Sequence, residues 1–446
     1  GLFHTATLGA ELRWPMARNG ANGVSHVIEP VVQLLYSDET PRGVFAKMAA
    51  EFYKLQPENI VAVTGTNGKT SCVHFVKQLW QALDKNAASI GTLGVRKVGS
   101  VVRSSSMTTP DPVSLHAEIA DMTAVGVTHL AMEASSHGLD QRRLDGVRVD
   151  VGAFTNLSRD HLDYHADMDE YFQAKSRLFS ELIVSGGSVV LNADIEEFEA
   201  LKAIAENREL NIVSYGFKGE DIRLINVVPN PHGQLIKVEI FGDVAEIDLK
   251  LVGEFQAMNV LCALGLVLAQ DVEHKKSYIE ALSALQGAPG RLELVEGHPK
   301  KAAIYVDYAH TPDALETVLK SLRPHITGKL VCVFGCGGNR DPGKRSMMGR
   351  VASELSDAVI VTDDNPRSED PAAIRQHVLA GVVEGSSDVN EIEGRAEAIA
   401  AAMKIIDEGD VLLIAGKGHE QGQVFADVTE PFDDIEEAQK AMKELS

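Results

Sequence analysis

The fold is decided by the stretch Ile60-Val61-Ala62-Val63-Thr64-Gly65-Thr66-Asn67-Gly68-Lys69-Thr70-Ser71. Its first five residues form a mostly β-branched apolar run that is typical of a buried strand, and the pattern from about residue 69 to residue 83 predicts a helix. A glycine loop in this position turns backbone N–H groups and the helix N-terminus towards a phosphate, and Lys69 adds a positive charge. The stretch therefore predicts a nucleotide phosphate site in an α/β protein.

This loop is a shorter variant of the common phosphate loop. The usual pattern GxxxxGK[ST] requires a glycine five residues before Gly68, and that position is Val63. Thr70 follows the lysine and offers a hydroxyl to Mg²⁺. The alternative interpretation, a glycine turn with a surface lysine, is disfavoured by the strand before the loop and the helix after it.

The composition of the chain excludes several classes of protein. The length of 446 residues corresponds to about three domains, and 44% hydrophobic residues with a net charge of −22 exclude a disordered chain. No cluster of basic residues indicates a nucleic-acid partner, and the longest apolar run, residues 260–269, is shorter than a membrane span. Four scattered cysteines indicate neither a disulfide framework nor a zinc site. We expect a cytoplasmic, monomeric enzyme with no nucleic-acid or membrane partner.

Strand and helix patterns alternate along most of the chain, as in a mostly parallel sheet covered by helices on both faces. Strand-like runs recur at residues 128–133 and 149–154, and residues 211–252 alternate as in antiparallel edge strands before a helix at 255–269. Near the start, a turn-rich break at 19–23 precedes a candidate strand at 27–36. The best linker candidate is Gly287-Ala288-Pro289-Gly290. Beyond it, a second α/β unit is predicted from strand runs at residues 303–306, 330–334, 358–362 and 411–415.

The chain resembles the ATP-dependent Mur ligases of peptidoglycan synthesis, whose phosphate loop reads TGTNGKT. Three later motifs are similar to those of the MurE members of this family: Met132-Glu133-Ala134-Ser135-Ser136-His137-Gly138-Leu139, Asn156-Leu157-Ser158-Arg159-Asp160-His161-Leu162-Asp163-Tyr164-His165, and Asp364-Asn365-Pro366-Arg367. The resemblance implies a three-domain α/β architecture. It consists of a partial N-terminal α/β domain for the UDP substrate (1–48), a central P-loop ATPase domain with a mostly parallel sheet (49–289) and a C-terminal Rossmann-like amino-acid-binding domain (290–446). No uridine-binding residue is recognisable before residue 45.

The resemblance implies an ADP-forming amide ligase that adds meso-diaminopimelate to UDP-N-acetylmuramoyl-L-alanyl-D-glutamate. ATP would activate a carboxylate as an acyl phosphate, and the amine of the amino acid would displace phosphate. Both steps gather negative charge, so the site needs metal ions and cationic groups. The implied ATP-binding residues are Gly65, Thr66, Asn67, Gly68, Lys69, Thr70, Ser71, Asn259, Arg291 and Asp307. Taken singly, the last three are equally well explained as a helix cap, a linker charge and a strand-end residue.

Four residues are expected to form the Mg²⁺ site. Glu133 ends a predicted strand, and with Thr70 it offers the oxygen ligands that Mg²⁺ prefers. By resemblance, His161 serves a second metal ion and Lys175 is carbamylated, although singly they would be a structural loop histidine and a solvated helix charge. With Lys69, these two are the expected catalytic residues. A neutral lysine amine adds CO₂, and the resulting anion suits a pocket rich in Mg²⁺.

The resemblance also implies the contacts to both substrates. The muramoyl-peptide residues are Thr108, Thr109, Ser135, Gln141 and Arg143, whose hydroxyls, amide and guanidinium suit a sugar, a peptide and an anion. The diaminopimelate residues are Arg340, Asp364, Asn365, Pro366, Arg367, Gly416 and Glu420. Met107 departs from the family, which commonly has Asn at that position.

Arg367 decides between two acceptor amino acids. Lysine ends in a bare ammonium that a guanidinium repels, whereas diaminopimelate ends in an amine and a carboxylate, and arginine holds a carboxylate by two parallel hydrogen bonds. Pro366 fixes the turn that would aim Arg367 inward. We therefore predict meso-diaminopimelate. The alternatives are an L-lysine-adding or folylpolyglutamate synthetase-like ligase, and a P-loop nucleotide switch in which Arg340, Arg367 and Glu420 would be incidental.

Overall fold

The computed structural model describes residues 39–97, 100–103, 107–230 and 233–445. The turn expected at 19–23, the strand expected at 27–36 and most of the expected N-terminal domain lie outside these residues. In the described part of the chain, three sheets are present, and two of them carry the helices that surround the candidate site.

The larger sheet has eleven strands in the order β11-β10-β9-β8-β7-β6-β1-β5-β2-β3-β4. The strands are β1 (Asn59–Thr64), β2 (Ala87–Gly91), β3 (Gly94–Lys97), β4 (Ser100–Arg103), β5 (His129–Glu133), β6 (Val149–Phe154), β7 (Ile183–Asn192), β8 (Asn211–Gly216), β9 (Ile222–Asn230), β10 (Gly233–Ile240) and β11 (Asp243–Leu249). The seven strands from β9 to β2 pair in parallel, and antiparallel hairpins extend both edges. The expected mostly parallel sheet is confirmed. Within residues 211–252, β10 and β11 form the expected antiparallel edge, whereas β8 pairs in parallel with both of its neighbours.

Helices cover both faces of this sheet. They are α1 (Pro41–Tyr53), α2 (Lys69–Ala82), α3 (Pro112–Ala124), α4 (Ser136–Asp140), α5 (Met168–Arg177), α6 (Phe198–Asn207), α7 (Glu254–Gln270) and α8 (Lys275–Ala281), with a π-helical turn at Leu178–Leu182. Successive residues of β1 enter two cores: Val61 and Val63 pack in the core that contains α2 and α7, whereas Ile60 and Ala62 pack in the opposite core. Burial on both faces explains the uninterrupted apolar run in this strand.

The second large sheet has the order β12-β13-β17-β14-β15-β16 and is parallel except for β12. Its strands are β12 (Glu293–Val295), β13 (Ala303–Asp307), β14 (Leu330–Phe334), β15 (Ala358–Val361), β16 (Asp388–Glu391) and β17 (Val411–Ala415), and a separate hairpin joins β18 (Gln423–Phe425) to β19 (Val428–Glu430). The helices are α9 (Pro312–Leu322), α10 (Gly343–Leu355), α11 (Pro371–Leu379), α12 (Arg395–Ile405) and α13 (Asp434–Leu445). The carboxyl ends of the parallel strands meet at one edge, where ligands bind in open α/β sheets.

The two large sheets share no strand among the described residues, and Gly290 lies between them in the chain. Helix α1 continues without a break through residue 48, where the sequence places a domain limit. The limits at 48 and 289 stay predictions. Within the described ranges, every helix is too short or too polar to cross a membrane.

Candidate active site

The phosphate loop connects β1 to α2. Gly65 and Gly68 adopt positive φ angles of 137° and 87°, a region that side chains disfavour. A Cβ at Gly68 would overlap Oδ1 of Asn259, which lies on α7, and a Cβ at Gly65 would overlap the Thr155 hydroxyl. No side chain caps the N-terminus of α2, so its first N–H groups face the loop unoccupied by a protein acceptor. The N–H groups of Thr66 and Asn67 in the loop donate to Asn156, so the donors left for an anion are those at the start of α2.

Two lysines meet beneath this loop. Lys69 Nζ donates to the carbonyl oxygens of Gly65, at 2.8 Å, and of Thr66, at 2.7 Å. Lys175, on α5, is buried, and its Nζ also donates to the Gly65 oxygen at 2.8 Å while lying 4.3 Å from the centre of the Tyr171 ring. Burial, and then the charge of Lys69, lowers the pKa of Lys175 well below its ordinary value, while Asp160 acts in the opposite direction. Burial and the charge of Lys69 thus both make the charged form of Lys175 less favourable than that of a free lysine.

The carboxylate of Glu133 is buried at the carboxyl end of β5. Its two oxygens accept hydrogen bonds from Thr92, from the backbone N–H at 2.8 Å and from the hydroxyl at 3.2 Å. Thr70 and Glu133 line the same small cavity. Thr92 was not predicted, because the contact joins the turn after β2 to the end of β5, which is distant in sequence.

The donor set of Thr70 and Glu133 fits Mg²⁺, which is usually held by one or two carboxylates together with substrate phosphates and water. Between residues 39 and 445, wherever the chain is described, no group of three or more His, Cys, Asp or Glu side chains could hold a metal ion by itself. His161 lies on the loop after β6, half-exposed and with a positive φ of 53°. Burial, and more weakly the charges of Lys69 and Lys175, lowers its pKa against the opposing effect of Asp160.

His161 belongs to a ring cluster that the sequence did not predict. The His137 ring centre lies 4.9 Å from that of His161 and 4.2 Å from that of Tyr164. His165 packs 5.2 Å from Tyr171, and neither of its ring nitrogens has a hydrogen-bond partner in the protein. The sequence signal that could have indicated this cluster is the high content of aromatic and histidine residues in 161–171. Their contact with His137 of α4 follows only from the fold.

Four of the five predicted muramoyl-peptide residues, Thr109, Ser135, Gln141 and Arg143, form one hydrogen-bonded group. Thr109 Oγ1 accepts from the Ser135 backbone N–H at 3.0 Å and donates to the Glu133 carbonyl at 3.0 Å. Arg143 donates to the Thr109 carbonyl at 2.7 Å and to Gln141 Oε1 at 2.7 Å. The hydroxyl of Thr108 lies 3.2 Å from that of Thr92. Arg143 also contacts the sulfur of Met107, the residue that departs from the family pattern.

Two of the residues expected to bind ATP, Arg291 and Asp307, lie next to the linker in the structure. The Arg291 guanidinium lies 4.6 Å from the centre of the Tyr308 ring. Burial lowers the pKa of Lys69, and the charge of Arg291 acts in the same direction against the opposing effect of Glu133. Asp307 accepts backbone hydrogen bonds from Leu292 and Ala309 through its two oxygens, at 2.7 and 2.8 Å. Asp307 thus ties the linker to the end of β13, in addition to any contact with a nucleotide.

The second sheet carries a cavity of about 300 Å³ at the carboxyl ends of its strands. Of the seven predicted diaminopimelate residues, Pro366 is the one that does not line it; the six that do are Arg340, Asp364, Asn365, Arg367, Gly416 and Glu420. Four further charged or ring residues of this cavity were not predicted: Tyr308, His310, Asp341 and Lys344. The cavity thus combines three cationic side chains, Arg340, Lys344 and Arg367, with three carboxylates, Asp341, Asp364 and Glu420.

Arg367 is held by more than the turn at Pro366. Its φ is 53°, its backbone pairs with Val424 and Ala426 of the β18–β19 hairpin, and its Nη1 donates to the Gly338 carbonyl at 2.8 Å. The hairpin and the glycine loop after β14 therefore aim the guanidinium, a role that the sequence assigned to Pro366 alone. Pro366 instead contributes close packing, since a Cβ at Gly338 would overlap its carbonyl oxygen.

Comparison with known families gives two matches. A model described as the Mur ligase middle domain matches residues 63–267, and one described as the Mur ligase, glutamate ligase domain matches residues 290–418. Two curated relatives carry the name UDP-N-acetylmuramoyl-L-alanyl-D-glutamate–2,6-diaminopimelate ligase, and each is 48% identical to this chain. The match to the protein of Caulobacter vibrioides covers 93% of this chain and 84% of the relative. The match to the protein of Brucella melitensis covers 97% of this chain and 88% of the relative. A solved structure with the same name is 32% identical, with a TM-score of 0.69, over 92% of this chain and 84% of that one.

Proposed function

The chain belongs to the Mur ligase family, and we propose that it is the ATP-dependent ligase that adds meso-diaminopimelate to UDP-N-acetylmuramoyl-L-alanyl-D-glutamate in peptidoglycan precursor synthesis. The observation that carries the choice of acceptor is the charge pattern of the 300 Å³ cavity. Diaminopimelate has two ammonium and two carboxylate groups, and three cations facing three carboxylates can pair with both signs. We expect the reaction in the cytoplasm, where ATP is available.

The first half-reaction uses the phosphate loop. ATP phosphates would accept hydrogen bonds from the N-terminus of α2, and Lys69 would release the carbonyls of Gly65 and Thr66 to face the γ-phosphate. Thr70 and Glu133 would hold Mg²⁺, which when bound neutralises part of the phosphate charge. Arg291 directly follows the linker, so closure of the two α/β units would complete the nucleotide site.

The same half-reaction needs the muramoyl peptide to lie next to the loop. The hydrogen-bonded group of Thr109, Ser135, Gln141 and Arg143 is continuous with Glu133 through the Thr109 hydroxyl. This continuity supports placing the glutamate carboxylate of the substrate near the γ-phosphate. Attack of that carboxylate on the phosphorus forms the acyl phosphate and releases ADP.

We also propose that Lys175 is carbamylated in the working enzyme. The addition joins the lysine nitrogen to CO₂ and releases one proton, and it requires the neutral amine. The low pKa of Lys175, caused first by burial and then by Lys69, supports this state. The carbamate would bring a negative charge to a pocket that Lys69 and Lys175 otherwise make positive.

The second half-reaction takes place over the cavity. Arg367 would hold the distal carboxylate of diaminopimelate, and Glu420 would accept hydrogen bonds from an ammonium group. The reacting amine then displaces phosphate from the acyl phosphate and forms the amide. A site built around a charged contact can reject an analogue that lacks the group by about 10⁴-fold, which favours diaminopimelate over L-lysine.

A steady-state assay tests this proposal. The protein is mixed with ATP, UDP-N-acetylmuramoyl-L-alanyl-D-glutamate and either meso-diaminopimelate or L-lysine, and the phosphate released and the mass of the product are measured. We expect a product carrying diaminopimelate and far lower kcat/KM with L-lysine. Equal turnover of both amino acids, or phosphate release that no acceptor changes, contradicts the proposal.

A further inference from the structure

Lys417 lies completely buried at the carboxyl end of β17, the strand in the middle of the second sheet. It sits between Gly416 and Gly418, whose φ angles are 116° and 54°. A Cβ at Gly418 would come within 2.8 Å of the Tyr308 side chain and 2.9 Å of the Gly290 oxygen. The two glycines therefore let the chain turn tightly and carry the lysine side chain inward. Because a buried ammonium is costly without partners, its contacts are informative.

The partners of Lys417 are two residues of the cavity. Its Nζ donates to Oδ1 of Asn365 at 2.9 Å and lies 3.5 Å from Oε2 of Glu420. The same Glu420 oxygen accepts from Asn365 Nδ2 at 3.0 Å. Asn365 Oδ1 also accepts from the backbone N–H of Val424 at 3.0 Å. Lysine, amide and carboxylate thus form a closed triangle.

This triangle fixes the orientation of the Asn365 amide. An ammonium group and a backbone N–H are donors with no acceptor capacity, so the side of Asn365 that faces Lys417 and Val424 must be its oxygen. The NH₂ group is then directed to Glu420. One of its two N–H bonds is used by Glu420, and elsewhere in the described chain no acceptor takes the second. Lys417 is the charged donor among the groups that hold this orientation, and the Val424 N–H and Glu420 are the other two.

We propose that Lys417 is a positioning residue for the acceptor amino acid. It does not touch the acceptor; it holds the Asn365 NH₂ as a donor for a carboxylate and the Glu420 carboxylate as an acceptor for an ammonium group. The proposal rests on the proposed function, because it takes the cavity as the acceptor site. The proposal adds Lys417, which does not line the cavity, to the residues that determine which amino acid is accepted.

The test compares Lys417→Met, Asn365→Ala and the double variant by steady-state kinetics with meso-diaminopimelate. Loss of a hydrogen bond to a charged group predicts a rise of about tenfold or more in the KM for diaminopimelate in Lys417→Met, with kcat changed by less than about threefold. In the Asn365→Ala background, Lys417→Met should have a smaller further effect than in the unmutated protein, because only its contact with Glu420 remains. Lys404→Met, an exposed lysine on α12, is the matched control and should change neither constant.

A second readout separates positioning from a general loss of structure. The acyl phosphate is trapped with hydroxylamine, which needs no amino-acid cavity, and hydroxamate formation should be equal in the unmutated protein and Lys417→Met. If Lys417→Met is unfolded at the assay temperature, Lys417→Gln replaces it in the same cycle; its side-chain N–H can restore part of the contact, so a smaller rise in KM is expected. An unchanged KM, or effects of Lys417 and Asn365 that multiply, overturns the proposal. If the unmutated protein itself does not add diaminopimelate, the proposed function fails instead.

Discussion

Lys69 and Lys175 donate to one and the same acceptor, the carbonyl oxygen of Gly65, each at 2.8 Å. One comes from the helix that follows the phosphate loop and the other from α5, more than a hundred residues further along the chain. Two ammonium groups on one oxygen repel each other, and a buried site strengthens the repulsion. The arrangement therefore favours either a neutral Lys175 or an anion between the two lysines, such as a phosphate or a carbamate.

Replacing Lys69 should abolish activation of the carboxylate. In Lys69→Ala no other residue of the loop supplies a charge for the γ-phosphate, and we expect hydroxamate formation to fall by at least about 10²-fold, as for loss of an oriented charge in a transition state. Trapping with hydroxylamine measures this step directly. Lys276→Ala, an exposed lysine on α8, should leave the rate unchanged. A Lys69→Ala protein that still forms the hydroxamate at the unmutated rate would show that the loop does not bind ATP as proposed.

Replacing Lys175 should impair the same step, and small acids should restore part of it. In Lys175→Ala the carbamate cannot form, and acetate or another short carboxylic acid can occupy its place as an anion. We expect a deep loss of turnover and a partial, concentration-dependent recovery with the added acid. Full activity of Lys175→Ala in buffer depleted of CO₂ would contradict the carbamylation.

The low pKa of Lys175 also predicts a dependence of stability on pH. Burial, followed by the charge of Lys69, lowers this pKa in the folded protein, so between the lowered value and about 10.4 the unfolded chain binds a proton that the folded protein does not. The free energy of unfolding should therefore rise with pH through that window, by up to about 1.4 kcal/mol per unit, and fall as the pH is lowered. Lys175→Met should lack this contribution. Urea unfolding in CO₂-free buffer at several pH values measures this contribution. If the free energy of unfolding changed equally with pH in the unmutated protein and in Lys175→Met, the prediction would be contradicted.

Arg367 should govern the choice of acceptor. Arg367→Ala leaves the distal carboxylate of diaminopimelate without its partner, and we expect kcat/KM for diaminopimelate to fall by the equivalent of about 2–5 kcal/mol. The value for L-lysine should change little or rise, because a repelling guanidinium is removed. Arg350→Ala, an exposed arginine on α10, serves as the control. Parallel losses for both amino acids would show that Arg367 acts on the fold and not on specificity.

Removing one partner of a buried ion pair should destabilise the second α/β unit. Arg395 donates to both oxygens of Asp434 at 2.7 Å, and both side chains are fully buried. Asp434→Ala leaves the Arg395 guanidinium buried without its charged partner, so we expect a loss of about 3–5 kcal/mol in the free energy of unfolding. Arg395→Met with Asp434→Leu removes both charges and should recover most of that loss. Chemical denaturation of the three proteins tests this, and equal stability of Asp434→Ala and the unmutated protein would exclude the effect.

The sequence alone determined the strand–loop–helix unit at the phosphate loop, the strand runs of both sheets and the residue types gathered at their carboxyl ends. These follow from local causes: β-branched runs, helical periodicity and glycine in a tight turn leave their pattern within a few consecutive residues. The resemblance to Mur ligases then named the site residues, and six of the seven predicted for the amino acid line one cavity.

Only the tertiary structure decided which of these residues touch. In the larger sheet β1 pairs with β5 and β6, not with its sequence neighbour β2, and this order brings Thr92 onto Glu133 and Lys175 onto Gly65. In the second sheet, insertion of β17 between β13 and β14 places Lys417 beneath Asn365. The orientation of Arg367 is set by backbone hydrogen bonds to a hairpin that lies more than fifty residues later in the chain. Strand order is set by the burial of whole faces against one another, and a local pattern carries no information about it.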